Sequence, residues 1–296
     1  MFTDIAFITV NYNTLEHVRQ LADFFQSFQA PFTFSFTVVD NNSRDGSQEF
    51  LQSRKDINCV QAGENLGYGR AINRGAGATN SKYICVTNTD VVLNREALIA
   101  LWRFLEGHPE VGVCAPRLKY QDGRDQGMVF EPSLLSFYSN LFAKAQAAST
   151  KQKIAAATVP IRASGVMGAF FFIRRSVLSA SAIFDEDFFF FYEDTALSHT
   201  LFNRGVPCFV LPEATIVHIG GQSRSEASIS LFYESRYLYL RKFYGPFHAT
   251  VIYWLDRARI LRKRLVYSLL SLVSSSERIK SKRTHYQRAW NASRGK

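Results

Sequence analysis

Three short runs rich in β-branched and aromatic residues, Ile5–Val10, Phe34–Val39 and Tyr83–Thr87, lead into polar residues, and a further strand is expected near Asn58–Ala62. The segments between them carry apolar residues at helical spacing, as in Leu15, Val18, Leu21, Ala22 and Phe25, and again over 68–78 and 95–106. Alternation of this kind dictates parallel strands joined by helical crossovers, with helices on both faces of the sheet. Parallel strands bring their carboxyl ends to one side, and ligands of such sheets bind there. The informative residues are therefore those that end strands: Asn11-Tyr12-Asn13, Asp40-Asn41-Asn42-Ser43 and Asn88-Thr89-Asp90.

Beyond residue 120 the pattern loosens. The stretch 121–160, with its glycines and an Ala/Lys/Gln/Ser-rich run, is expected to form a mobile loop or a lid-like helix. A strand is expected over Gly168–Ile173, a helix over Thr195–Arg204, a turn at Gly205, and two strands at Val206–Leu211 and Ala214–His218. From Ser228 onward helix dominates. The expected organisation is an α/β domain over 1–245 and a helical extension over 246–296.

With 296 residues and 47% hydrophobic content the chain can bury a large core. Its formal charge of +10 is concentrated in the tail, where eleven Lys and Arg between Asp256 and Arg294 face only two acids, a net of +9. Ile252, Leu255, Ile260, Leu261, Leu265, Leu269 and Leu272 recur there near helical spacing, interleaved with Arg257, Arg259, Arg262, Lys263 and Arg264. A basic amphipathic helix suits an anionic membrane surface. The rival readings are a helix packed on the domain with solvated cations, and a nucleic-acid site, for which the chain has no recognised module. The first residues lack the basic start and long apolar run of a signal peptide, and no window supplies the roughly 18 apolar residues that span a bilayer. Cys59, Cys85, Cys114 and Cys208 lack paired spacing and are expected to be reduced thiols. The expected location is cytoplasmic, peripheral at the inner face of the cell membrane.

Several residues carry candidate chemistry. Asp90 can hold a hard divalent cation by one oxygen, Mg2+ or Mn2+ leaving other positions to phosphate and water; the alternative is an Asx turn or a cap for the helix over 95–106. Asp40 can accept from a pyrimidine imide or a ribose hydroxyl, or cap the helix beginning near Asp45. Asn65-Leu66-Gly67-Tyr68-Gly69-Arg70 offers glycines for close backbone approach and Arg70 for a phosphate, without the third glycine of a dinucleotide fingerprint. Glu193-Asp194 follows the aromatic run Phe188–Tyr192, where burial raises a carboxylate towards a useful base; both acids also suit a helix N-terminus. His218 ends an apolar run and is a second candidate ligand for metal or diphosphate.

In this order the segments resemble family 2 glycosyltransferases of the GT-A fold, in the bacterial branch with rhamnosyltransferases of O-antigen and cell-wall assembly. The resemblance runs from Ile8–Asn13 through Val39–Ser47, Asn65–Gly69, Asn73-Arg74-Gly75, Asn88–Asp90, Gly168–Phe170, Ile173–Arg175 and Phe184–Phe189 to Tyr192-Glu193-Asp194 and His218–Ser223, covering about residues 4–245. It implies an inverting, metal-dependent transferase using a nucleoside-diphosphate sugar. Asn11, Asn13 and Asp40 would hold the nucleoside; Asn65, Gly67, Arg70 and Asn88 would line the diphosphate and sugar side. Asp90 and His218 would bind Mg2+ or Mn2+, and Asp194 would be the base, oriented by Glu193. dTDP-rhamnose is the first expected donor, with UDP-galactose, UDP-glucose or UDP-N-acetylglucosamine as alternatives, and a glycan or polyprenyl-diphosphate-linked acceptor. A non-catalytic nucleotide-sugar-binding module is the other reading. Ala196 stands where the family often has an acid.

Overall fold

The computed structural model describes residues 2–126, 133–135, 137–138, 156–178, 182–220 and 226–292. These fall into two compact units, one of Met1–Pro132, Ala147–Phe189 and Glu193–Gly220, the other of Ser133–Gln146, Phe190–Tyr192 and Gly221–Lys296.

The first unit is a mixed sheet whose described strands number nine: β1 (Thr3–Asn11), β2 (Phe34–Asp40), β3 (Asn58–Gln61), β4 (Ser81–Thr87), β5 (Val91–Val92), β6 (Val113–Lys119), β7 (Ile161–Ala163), β8 (Phe170–Arg174) and β9 (Cys208–His218). They run β3-β2-β1-β4-β8-β6-β9-β5, with β7 paired to β9. The strands β3, β2, β1 and β4 are parallel, as the β-α-β alternation requires. β8 enters antiparallel between β4 and β6. Its Phe170, Phe171, Phe172 and Ile173 are all fully buried, because a central strand covered on both faces tolerates an unbroken apolar run.

Helices α1 (Leu15–Ser27), α2 (Ser47–Ser53), α3 (Tyr68–Gly77) and α4 (Arg95–Gly107) follow the first strands, and α5 (Glu193–Asn203) precedes β9. α1 buries Val18, Leu21, Ala22 and Phe25, and Phe25 stacks on Phe36 with ring centroids 4.3 Å apart. α4 is capped by Asn94, whose Oδ1 accepts from Ala97 N at 3.0 Å. That cap frees Asp90 from the same task.

One expectation is corrected. The strands anticipated at Val206–Leu211 and Ala214–His218 are a single strand, β9, despite Pro212 and Glu213 between them. Its pairing with β6 jumps from Pro116↔Leu211 to Arg117↔Thr215, so the intervening residues bulge while the strand continues. Of the stretch 121–160, residues 127–132, 136 and 139–155 lie outside the described residues, as do 221–225.

The second unit is helical. α6 (Glu226–Val273) breaks at Gly245, at φ 86° and ψ 165°, ahead of Pro246. Proline lacks the N–H of a continuing helix and clashes with the preceding turn. α7 (Glu277–Ala292) returns along the second half of α6: Tyr267 and Tyr286 stack at 5.5 Å, and Arg264 Nε donates to Gln287 Oε1 at 2.8 Å. Among the described residues no helix is long and apolar enough to cross a membrane.

Candidate active site

The polar residues gather at the carboxyl ends of β1, β2, β3 and β4. β1 and β2 run in register with Asn11 opposite Asp40. Their side chains therefore meet: the buried Asn11 Nδ2 donates to Asp40 Oδ1 and to Ser43 Oγ, both at 2.9 Å, and Asp40 Oδ2 accepts from Ser43 N at 3.1 Å. Asn11 Oδ1 accepts from Thr14 Oγ1 at 2.7 Å, and Thr14 Oγ1 lies 3.1 Å from Thr89 Oγ1, next to Asp90. Asn13, at a left-handed φ of 55°, accepts from Arg44 N at 2.7 Å. Capping falls to Asp45 instead of Asp40: it takes Leu15 N at 2.9 Å and Ser47 N at 3.1 Å, so it serves α1 and α2 together.

Asn41, buried behind this rim, ties the second strand end to the third. Its Oδ1 accepts from Leu66 N at 2.9 Å and its Nδ2 donates to Asn65 Oδ1 at 2.8 Å. Gly67 is at φ 81°, and a Cβ there would strike Phe189 O. The glycine thus lets Tyr68 N donate to Phe189 O at 2.8 Å. The exposed Arg70 donates through Nε to Glu186 O at 2.8 Å. Asn73 makes four bonds to the segment leading to Glu193, accepting from Ile183 N and Phe184 N and donating to Phe184 O and Glu186 Oε1.

Asp90 and His218 are brought together by the two-residue β5, which pairs Val91 with His218. Asp90 Oδ1 is 3.3 Å from His218 Nε2, and Asp90 Oδ2 accepts from Gly220 N at 3.2 Å. Burial pushes the Asp90 carboxyl up, but His218 and the Gly220 N–H outweigh it and hold it below the usual range. Gln126, unmarked by any motif, is buried and grips His218 twice. Its Nε2 donates to His218 O at 2.6 Å and its Oε1 lies 2.8 Å from His218 Nδ1. Since Nε2 of the amide is committed to a carbonyl, Oε1 is the acceptor and Nδ1 carries the proton. In the neutral ring the Nε2 lone pair then faces a carboxylate oxygen. A proton on the ring, or one divalent cation shared by both groups, reconciles them.

This donor set of one carboxylate and one imidazole fits Mg2+ or Mn2+, which bind few protein groups and fill the remaining positions with phosphate and water. Among the described residues there is no cluster of three or more His, Cys, Asp or Glu able to hold a metal alone.

Asp194 reaches the same sheet end through β8. Asn88 N donates to Ala169 O at 2.9 Å, and next to it Gly168 N donates to Asp194 Oδ2 at 2.7 Å. Asp194 Oδ1 accepts from Thr195 N at 2.6 Å. A Cβ on Gly168 would come within 3.1 Å of Asp194 Cβ and 3.2 Å of its Oδ2, so a larger residue there would require Asp194 to shift by a few tenths of an ångström. Tyr68 OH donates to Gly168 O at 3.1 Å. Burial pushes the Tyr68 phenol well up, and the charges of Glu193, Asp194 and Asp90 push it further.

The two adjacent acids differ. Glu193 is buried, its Oε2 has no hydrogen-bond partner among the described residues, and burial followed by the charge of Asp194 pushes it up to about 8. Asp194 is also raised by burial, but the Gly168 and Thr195 donors oppose the rise. At neutral pH the pair is a protonated Glu193 beside an Asp194 that its donors favour as the ionised member.

The profile of glycosyl transferase family 2 matches residues 7–181. An N-acetylglucosaminyl-diphospho-decaprenol L-rhamnosyltransferase of Mycobacterium tuberculosis is 24% identical over 284 residues, 88% of this chain and 91% of the relative. Among solved structures, the mannosyltransferase PcManGT of Pyrobaculum calidifontis, in complex with GDP-Man and Mn2+, superposes with a TM-score of 0.58 at 15% identity, covering 99% of this chain and 86% of that one. GalNAc-T7 with UDP, GalNAc and Mn2+ gives 0.60 at 12% identity, covering 96% of this chain and 54% of that one.

Proposed function

Because the chain belongs to glycosyl transferase family 2 and is a glycosyltransferase, we propose that it moves a sugar, with inversion, from a nucleoside diphosphate to a hydroxyl of a lipid-linked glycan, with Asp194 as base. The observation that carries this reading is the run of hydrogen bonds from Asn88, beside Asp90, through Ala169 and Gly168 to Asp194. It supports the reading because it brings the Asp194 carboxyl to the sheet end that carries Asp90 and His218.

In the proposed reaction Asn11, Asn13 and Asp40 frame the nucleoside, while Asn65, Gly67, Arg70 and Asn88 line the diphosphate and sugar. The acceptor oxygen attacks the anomeric carbon from the face opposite the diphosphate as Asp194 takes its proton. One displacement of this kind inverts the centre. Asp90 and His218 would hold Mg2+ or Mn2+, which supplies charge neutralisation for the departing diphosphate. The protonated Glu193 keeps a second negative charge away from Asp194 and orients it.

The mycobacterial relative supports L-rhamnose as the sugar and a polyprenyl-diphosphate-linked acceptor. An acceptor of that kind places the enzyme at a membrane face, on the cytoplasmic side where nucleotide sugars are available. The test is transfer from dTDP-rhamnose to polyprenyl-diphosphate N-acetylglucosamine, followed by mass spectrometry with and without EDTA. Rhamnosylated product that disappears with chelator is expected. Transfer from a UDP-hexose alone would move the reading to the alternative donors. A donor that stabilises the protein yet is never transferred would make the chain a binding module.

A further inference from the structure

We infer that the outward face of α6 after its break, from Phe247 to Leu272, is a surface built to lie on an anionic lipid bilayer. The inference deepens the proposed use of a lipid-linked acceptor by naming the part of this chain that meets the lipid.

The segment after Gly245 is a single helix ending at Val273. Phe247, Trp254, Leu265, Leu269 and Leu272 are 72%, 61%, 55%, 66% and 80% exposed. At 100° per residue these five fall within an arc of about 60°, over a length of roughly 38 Å. The residues buried within the unit, Ala249, Ile252 and Ile260, project from the opposite side of the helix. The stripe is thus not the packing face of the helical hairpin. It is a second apolar face, longer than the scattered exposed apolar side chains of an ordinary surface.

The chemistry beside the stripe selects its partner. Arg262 flanks it on one shoulder and Arg257 and Arg264 on the other; the Arg257 guanidinium lies 5.6 Å from the Trp254 ring centroid. α7, alongside, adds Arg278, Lys280, Lys282, Arg283 and Arg288. Apolar residues bordered by Arg262 on one side and by Arg257 and Arg264 on the other match the acyl boundary beneath anionic headgroups, where basic side chains meet phosphates. A second copy of this chain would set these cations against their own kind. A polynucleotide would meet the cations but leave the ridge of leucines in water.

The test uses the full-length protein and vesicles of phosphatidylcholine with 30% phosphatidylglycerol as the probe. The wild type is expected to co-sediment, and Trp254 fluorescence is expected to be quenched by brominated acyl chains, a signal that Trp254→Phe removes. Leu265→Ser/Leu269→Ser/Leu272→Ser, all at exposed positions, is expected to lower partitioning at least about tenfold while its melting temperature and its turnover of a soluble acceptor stay unchanged. High salt should weaken binding by the wild type and leave a residual apolar part. Vesicle binding that survives the triple substitution, wild-type fluorescence blind to brominated lipid, or a dimer that the triple substitution dissociates would each overturn the inference. So would binding of polynucleotide in preference to vesicles. Vesicle binding needs no donor, so a chain that binds lipid and transfers nothing would sink the transferase reading alone. Transfer to soluble acceptor without lipid binding would sink this one alone.

Discussion

Replacing Gln126 by Leu isolates the part of the proposed cation site that acts through His218. The amide makes two bonds to that residue, 2.6 Å to its carbonyl and 2.8 Å to Nδ1; leucine has similar bulk and makes neither. At about 1 kcal/mol for each neutral hydrogen bond, the orientation lost is about 2 kcal/mol, or roughly 30-fold in cation affinity. That figure lies inside the range of about 10- to 100-fold found for outer partners of metal-bound histidines. The assay is Mn2+ titration followed by electron paramagnetic resonance, with whichever of GDP, UDP or dTDP stabilises the protein most. Gln126→Glu, which keeps an acceptor for Nδ1–H, should fall closer to the wild type than Gln126→Leu does. If Gln126→Leu bound Mn2+ as tightly as the wild type while His218→Ala lost it, the clamp would have no role in orienting the ring.

Asp194→Asn keeps an oxygen for Gly168 N and should fold normally, with donor binding unchanged and turnover reduced by about 10²- to 10⁴-fold; full transfer by this variant would remove the base assignment. Glu193 titrates near 4.5 when unfolded and at about 8 when folded, so the folded state binds the extra proton and stability falls as pH rises between those values. Glu193→Gln should therefore raise the melting temperature more at pH 8.5 than at pH 5, and parallel pH profiles would contradict a buried neutral acid. Asn73→Ala leaves Ile183 N, Phe184 N and Phe184 O without this partner, so a loss of roughly 3 kcal/mol is expected by denaturant unfolding. An effect under 1 kcal/mol would mean that the segment before Glu193 is held elsewhere.

The parallel half of the sheet is readable because β1, β2 and β4 are apolar runs that stop at Asn- or Asp-containing ends, and those ends form the candidate site; the short β3, Asn58–Gln61, is placed by the alternation with the helices around it. Asp90 and His218 are legible individually as strand-end residues. Their meeting depends on β5, two residues long and too short to leave a periodic signal. β9 is misread as two strands because Pro212 and Glu213 look like a turn, and only pairing with β6 shows the chain continuing through a bulge. Gln126 leaves no trace: a single amide in a glycine-containing stretch has no pattern, and its importance lies in contacts 92 residues away. Asn41, Asn73 and Asp45 sit within segments that the resemblance already marks. What the chain does with them, bracing loops and capping helices, follows from their partners and not from their spacing.

The pairing of Val91 with His218 also has a bearing on assembly of the molecule. Half of the proposed cation site is synthesised with the fourth strand, and the other half arrives only when the last strand in the sequence, β9, pairs with β6 and β5. A nascent or truncated chain ending before Cys208 can align β3, β2, β1 and β4 yet has a single ligand, and a slip of one residue in β9 would turn His218 to the opposite face. Cation affinity at the proposed site would therefore report completion: it registers that β9 is in place and in register, a late event in forming a sheet with so distant a contact.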